Sequence, residues 1–209
     1  MESKLEQYIL DHITSEDPVL EDLYRQTHLK FVNPNMASGH LQGKFLEMIS
    51  KMINPLNILE IGTYTGYSAI CLAKGLRQDG KLHTIESNEE LTEFSKSYFE
   101  KAGLSSKIIT HTGRAQDIVL KLNHRFDLAY IDGDKREYCD YFNLIFEKVN
   151  SGGYIIADNI FWGGKALDKA SKDPQAKGIR AFNDMMKNKP GTENVIIPLR
   201  DGLMVIRKL

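Results

Sequence analysis

Alternation is the feature that most constrains this chain. From Asn57 onward, five short apolar runs end near Ile61, Glu86, His111, Asp132 and Asp158, and each is followed by a stretch with helical spacing. The helical stretches cover 65–76, 89–101, a short piece from about Ala115, 138–148 and 175–187. Strand–helix alternation of this length predicts a mainly parallel sheet covered on both faces, an α/β doubly wound arrangement. The end of the chain breaks the rhythm. NVIIPL and GLMVIRK are two strand-like runs separated only by Arg200 and Asp201, the spacing of a hairpin. One of the two must run antiparallel to its neighbour, giving a mixed edge.

Ahead of the sheet, helical patterns over 4–13, 19–28 and 41–53 predict a helical N-terminal region, 1–53, preceding a Rossmann-like core, 54–209. KFVNPNMASG, with Pro34 and Gly39, reads as the loop between the last two helices. With no repeat, low-complexity linker or charge block, a single domain over 1–209 is expected. The formal net charge of -1 gives no global attraction to nucleic acid or anionic membrane. No apolar run approaches the roughly 20 residues that span a bilayer, and MESKLEQYILDH lacks the apolar block of a signal peptide. A cytoplasmic protein is therefore expected. Cys71 and Cys139 lie in apolar-periodic stretches without ligand spacing, so both read as buried free thiols.

The junction ILEIGTYTGYS, Ile58–Ser68, carries the first chemistry. A strand runs into Glu60-x-Gly62 and then Gly66, directly before a helix. Glycines here let backbone N–H groups approach a ligand. A dinucleotide fold would show G-x-G-x-x-G to seat a pyrophosphate, whereas this chain has E-x-G-x-x-x-G. A strand-end carboxylate repels a pyrophosphate and suits a ligand with an amino group and a sulfonium, as in S-adenosylmethionine. Glu86 ends the second strand 20 residues after Gly66, near the spacing at which an acid reaches a ribose diol. GRAQD, Gly113–Asp117, follows the third strand, where a loop could cover an adenine.

At the other end of the predicted crevice, YIDGDK gives Asp132, Asp134 and Lys135, and IIADN gives Asp158 and Asn159. Two carboxylates and an amide oxygen are hard ligands that suit Mg²⁺ first, with Mn²⁺ and Ca²⁺ also open on ligand type. The competing reading is that Asp and Asn at strand ends are turn formers and caps. Near a dication and a sulfonium an amine loses proton affinity, which makes Lys135 a candidate general base. His40 and His111 are its rivals.

LEIGTYTGYSA, IDGDK, ADNIFWGG and RDGLMVIRK closely resemble the cation-dependent O-methyltransferases, the group of the caffeoyl-CoA and catechol enzymes. The resemblance runs from about Met36 to the C-terminus. It implies a seven-stranded doubly wound sheet with an antiparallel last strand. It also implies Asp132, Asp158 and Asn159 as metal ligands and Lys135 as catalytic base. Glu60, Gly62, Thr63, Tyr64, Ser68, Glu86 and Asp132 correspond to S-adenosylmethionine contacts, with Glu86 on the ribose and Ala115 near the adenine. Met36 and Ser38 match the upstream loop that touches cofactor and substrate, and Trp162 matches an aromatic ring against a small phenolic substrate; the other reading of Trp162 is loop or interface packing.

The resemblance further implies a homodimer, with the N-terminal helices as candidate interface. Three departures stand out: Ser38-Gly39 replaces a frequent Ser-Pro, and Val195 occupies the position six before Asp201 where animal catechol enzymes carry a substrate-contacting glutamate. There is also no counterpart of the plant enzymes' substrate-recognition insertion. The expected reaction is metal-dependent methylation of a vicinal diphenol. Two other readings use the same residues: methylation of a modified tRNA nucleoside, and S-adenosylmethionine binding without catalysis. A nicotinamide dehydrogenase is disfavoured by the missing third glycine.

Overall fold

The computed structural model describes residues 4–209, so the first three residues of the expected N-terminal region lie outside the described residues. Three helices open it: α1 (Lys4–His12), α2 (Pro18–Lys30) and α3 (Gly39–Ile53). Asp17 caps α2 by accepting the Val19 N–H at 2.8 Å, and Pro18 at the first position supplies a pre-set φ. The loop between α2 and α3 tightens into one 3-10 turn, Pro34–Met36.

The sheet follows, with β1 (Asn57–Ile61), β2 (Lys81–Glu86), β3 (Ile108–Thr112), β4 (Phe126–Ile131), β5 (Val149–Ala157), β6 (Thr192–Ile197) and β7 (Leu203–Lys208). Between the strands run α4 (Tyr67–Ala73), α5 (Thr92–Lys101), α6 (Ala115–Lys121), α7 (Tyr138–Lys148) and α8 (Pro174–Lys187). The strand order is β3-β2-β1-β4-β5-β7-β6, and β7 runs antiparallel to both β5 and β6. The expected mixed edge is present: Pro198 directly follows β6, where it has no ladder N–H to give.

Alternating side chains divide the core. Leu59, Ala129 and Ile155 face α6, α7 and α8 together with Phe142 and Phe182. Ile58, Leu128 and Ile156 face the other side, with Leu23, Leu46 and Tyr98 of the N-terminal helices and α5. The N-terminal region therefore packs on one sheet face as part of a common core. Cys71 is fully buried and Cys139 half-buried, both free, and burial pushes each thiol's pKa up. Among the described residues no helix is long and apolar enough to cross a membrane.

Candidate active site

Backbone hydrogen bonds set the site's floor. The Gly62 N–H donates to Ile85 at 2.9 Å, the Asp132 N–H to Ile61 at 2.8 Å, and the Asp158 N–H to Ile131 at 3.0 Å. The first residues beyond β1, β4 and β5 are thus stepped side by side at the carboxyl edge of the sheet, where open α/β folds place their ligands. A cavity of about 1010 Å³ opens above this row.

One wall carries Gly62, Tyr64, Glu86 and Ala115. The Glu86 carboxylate is held by the Tyr64 N–H at 2.8 Å and the Asn88 N–H at 2.9 Å. The opposite end carries Asp132, Lys135, Asp158, Asn159 and Trp162, with Met36 from the 3-10 turn at the mouth. A smaller recess beside Gly62 is lined by Met36, Ser38, Thr63 and Ser68 among others, and shares Asp132 with the main cavity. These two spaces bring together every site residue that the family resemblance implies except Glu60.

Glu60, expected at the cofactor, lies behind the row and outside both spaces. It is fully buried, and its oxygens accept from Ser68 Oγ and Thr84 Oγ1, each at 2.6 Å. Burial, with Asp132 and Glu86 nearby, pushes its pKa up to about 8. It ties the Ser68 and Thr84 hydroxyls together. The two glycines sit in close contact with the protein itself. Gly62 has φ 100, and a Cβ there would overlap the Asp132 carbonyl oxygen and lie 2.8 Å from its carbon. Gly66 donates its N–H to Thr63 and faces the Phe99 ring. Both glycines answer to close packing within the protein, and their N–H groups are already used.

Lys135 lies in a 3-10 turn, 6% exposed, and its Nζ donates to Asp132 Oδ1 at 2.6 Å and stands 5.1 Å from the Tyr138 ring centre. The turn is fixed from behind by α8. A Cβ on Gly178 would overlap the Lys135 carbonyl oxygen and lie 2.7 Å from Arg136 Cα. The rival bases are elsewhere: His40 bonds the Thr14 carbonyl, and His111 pairs with His83 on β2.

Burial raises the Asp132 pKa and the Asp158 charge adds to this, while Lys135 and Arg200 oppose it. A buried carboxylate set beside a second one makes a place where positive charge is favoured. Among the described residues no three His, Cys, Asp or Glu side chains form a metal cage. The set is therefore two carboxylates plus the Asn159 amide, which fits a hard cation that keeps several positions for water and substrate.

Sequence reasoning missed three residues. Gln42 and Tyr130 both bond Asp158. Arg200, at φ 50 on the β6–β7 turn, donates to the carbonyls of Ala37 at 2.9 Å, Asn35 at 3.2 Å and Ser38, strapping the 3-10 segment to the hairpin. Val195 lies in β6, 56% exposed, and does not line the cavity; Arg200 lines it from that hairpin instead. Gln42 carried a readable signal, a polar residue on the buried stripe of a helix.

This sheet order with an antiparallel β7, an acid on a cavity wall at the end of β2 and a carboxylate–lysine cluster after β4 fits an α/β enzyme that takes its ligand at the carboxyl edge of the sheet. The O-methyltransferase family profile matches residues 10–209. The chain is 35% identical over 170 residues to a catechol O-methyltransferase of Niastella koreensis, covering 79% of this chain and 77% of that protein. It is 33% identical over 219 aligned positions to caffeoyl-CoA O-methyltransferase 2 of Eucalyptus globulus, covering 98% and 88%. Among solved structures, the O-methyltransferase TomG of Streptomyces achromogenes, in complex with S-adenosylmethionine, superposes with TM-score 0.91 at 30% identity, covering 98% of this chain and 95% of that one. An O-methyltransferase of Bacillus cereus in complex with S-adenosylhomocysteine gives TM-score 0.87 at 30% identity, covering 98% and 97%. The chain belongs to the O-methyltransferase family.

Proposed function

We propose that this O-methyltransferase transfers a methyl group from S-adenosylmethionine to one hydroxyl of a vicinal diphenol with the help of a divalent cation. The observation that carries the reading is the convergence of Asp132, Lys135, Asp158 and Asn159 at one end of a cavity whose facing wall presents Glu86 and Ala115. Glu86, fixed by two backbone N–H groups, has acceptor capacity left for a ribose diol. Asp132, Asp158 and Asn159 hold the cation, Mg²⁺ by preference for a hard octahedral oxygen set. When bound, the cation supplies a Lewis acid that lowers the pKa of a neighbouring hydroxyl.

Lys135, after giving up its own proton to solvent, accepts the hydroxyl proton as the neutral amine and becomes the ammonium again. The oxygen left behind bonds the methyl carbon as the carbon–sulfur bond breaks, and the sulfur leaves as a neutral thioether. Trp162 and Met36 bracket the aromatic ring. The protein's main contribution is alignment, worth up to about 7–11 kcal/mol for a near-attack geometry. Met48 and Met52, one turn apart and exposed on α3, support the reading that the N-terminal helices meet a second copy.

The test is methyl transfer from labelled S-adenosylmethionine to a panel of vicinal diphenols, with and without a chelator. Chelator-sensitive transfer is the expected result. Intact cofactor binding with no transfer to any diphenol would overturn the substrate assignment, and transfer to bulk tRNA in the same experiment would redirect it.

A further inference from the structure

Gln42 is polar, only 1% exposed, and lies on the buried stripe of α3 with Leu46 and Ser50. An uncharged amide that deep in a core needs partners. Its neighbour Gly43 explains how it gets there. A Cβ at Gly43 would lie 2.5 Å from the Tyr67 ring and 2.9 Å from Cys71 Sγ, so only glycine lets α3 press this closely on α4. The approach carries the Gln42 amide beneath the ends of β4 and β5.

There, Gln42 Nε2 donates to Asp158 Oδ2 at 2.6 Å and lies 3.0 Å from the Tyr130 hydroxyl. Tyr130, itself fully buried, donates to the same Oδ2 at 2.7 Å. A carboxylate can only accept, which fixes the amide with its nitrogen toward Asp158. The other oxygen, Oδ1, accepts the Asn159 N–H at 2.7 Å. Each carboxylate oxygen offers two lone pairs. Both on Oδ2 are taken, and Oδ1 has one left.

We infer that Gln42 is a positioning residue for the divalent cation: together with Tyr130 it occupies Asp158 Oδ2, locks the carboxylate's rotation and leaves a single lone pair on Oδ1 for the cation. The inference rests on the proposed reading of Asp158 as a ligand. It also makes the N-terminal region part of the catalytic apparatus, because α3 supplies the amide that joins Tyr130 of β4 at that oxygen. Partners behind a ligand that fix its orientation matter for affinity nearly as much as the ligand does.

The experiment is Mn²⁺ titration of the full chain, followed by the paramagnetic resonance of free Mn²⁺, with S-adenosylmethionine affinity measured in parallel. Gln42→Leu and Tyr130→Phe are each expected to raise the Mn²⁺ Kd by about 10–100-fold, with cofactor Kd kept within about twofold. Gln42→Glu, which sets an acceptor against an acceptor, should weaken Mn²⁺ at least as much. Leucine fills nearly the volume of glutamine, so a residue that only packed α3 would tolerate it; wild-type Mn²⁺ affinity in Gln42→Leu overturns the inference. If that variant does not fold, Tyr130→Phe, which removes one oxygen and keeps the ring, decides in the same way. Asp158→Ala separates the two levels. Unchanged Mn²⁺ affinity there would remove Asp158 from the ligand set and this inference with it. Loss of Mn²⁺ in Asp158→Ala beside full affinity in the other two variants would sink the positioning role alone.

Discussion

Lys135 Nζ lies 2.6 Å from Asp132 Oδ1, three residues back along the chain. The ion pair parks the amine beside the carboxylate that holds the cation in our reading, so proton acceptor and cation share a neighbour. Lys135→Ala is expected to lower kcat by about 10²–10⁴-fold, the usual contribution of a general base. Cofactor Kd should hold, because Glu86 and Ala115 are on the facing wall. Steady-state kinetics beside a binding titration checks this, and wild-type turnover would remove Lys135 from the mechanism.

Gly178 meets the Lys135 backbone so closely that any Cβ forces the turn or α8 to move. Gly178→Ala should cost about 1–3 kcal/mol of stability, as overpacking typically does. It should also displace Lys135, so kcat falls while cofactor affinity is retained. Thermal unfolding and kinetics on one preparation distinguish this from a loss of stability alone.

Arg200 bonds three carbonyls of the segment that carries Met36 and Ser38. Arg200→Ala releases that segment. The Met36 and Ala37 amides, now bonded within the turn to Asn33 and Pro34 at 3.1 Å each, should exchange faster with solvent deuterium. KM for the phenolic substrate we propose should rise more than kcat falls, since the loop shapes the mouth and not the reacting end. Unchanged exchange would mean the turn holds itself.

His83 predicts an acid-sensitive fold. Its ring is buried against His111, His124 and Phe126; Nδ1 pairs with His111 at 3.0 Å, and Nε2 has no hydrogen-bond partner among the described residues. Burial, reinforced by the His124 and His111 charges, lowers its pKa from 6.5 to about 4. Between these values the unfolded chain binds the proton and the folded chain does not, so the stability that neutral His83 contributes is complete above pH 6.5 and lost as pH falls toward 4. His111, with its own pKa lowered by burial, acts in the same direction. The melting temperature should fall across that window, and His83→Phe should flatten the decline.

The strand–helix rhythm made the sheet and its antiparallel return legible, because period and turn chemistry are local properties. Asp132 and Asp158 were legible for a related reason: each stands one residue past its strand, where the register turns it toward the crevice. Glu60 looks the same in sequence but falls inside β1, opposite Thr84 and Tyr130, and the pleat sends it downward into the core. Gln42 lies 116 positions from its partner Asp158. That contact exists only after α3 docks, and no local pattern encodes it. Arg200 was hidden for the same reason, since its partners come from the other end of the chain.

The chain has one tryptophan, and Trp162 forms part of the cavity wall with its indole N–H directed to Asp173 at 3.3 Å. When excited beyond the tyrosine band, the wild-type protein therefore emits from a single address. Anything that enters the crevice and touches that wall changes the colour or strength of the light, with no other indole to dilute the signal.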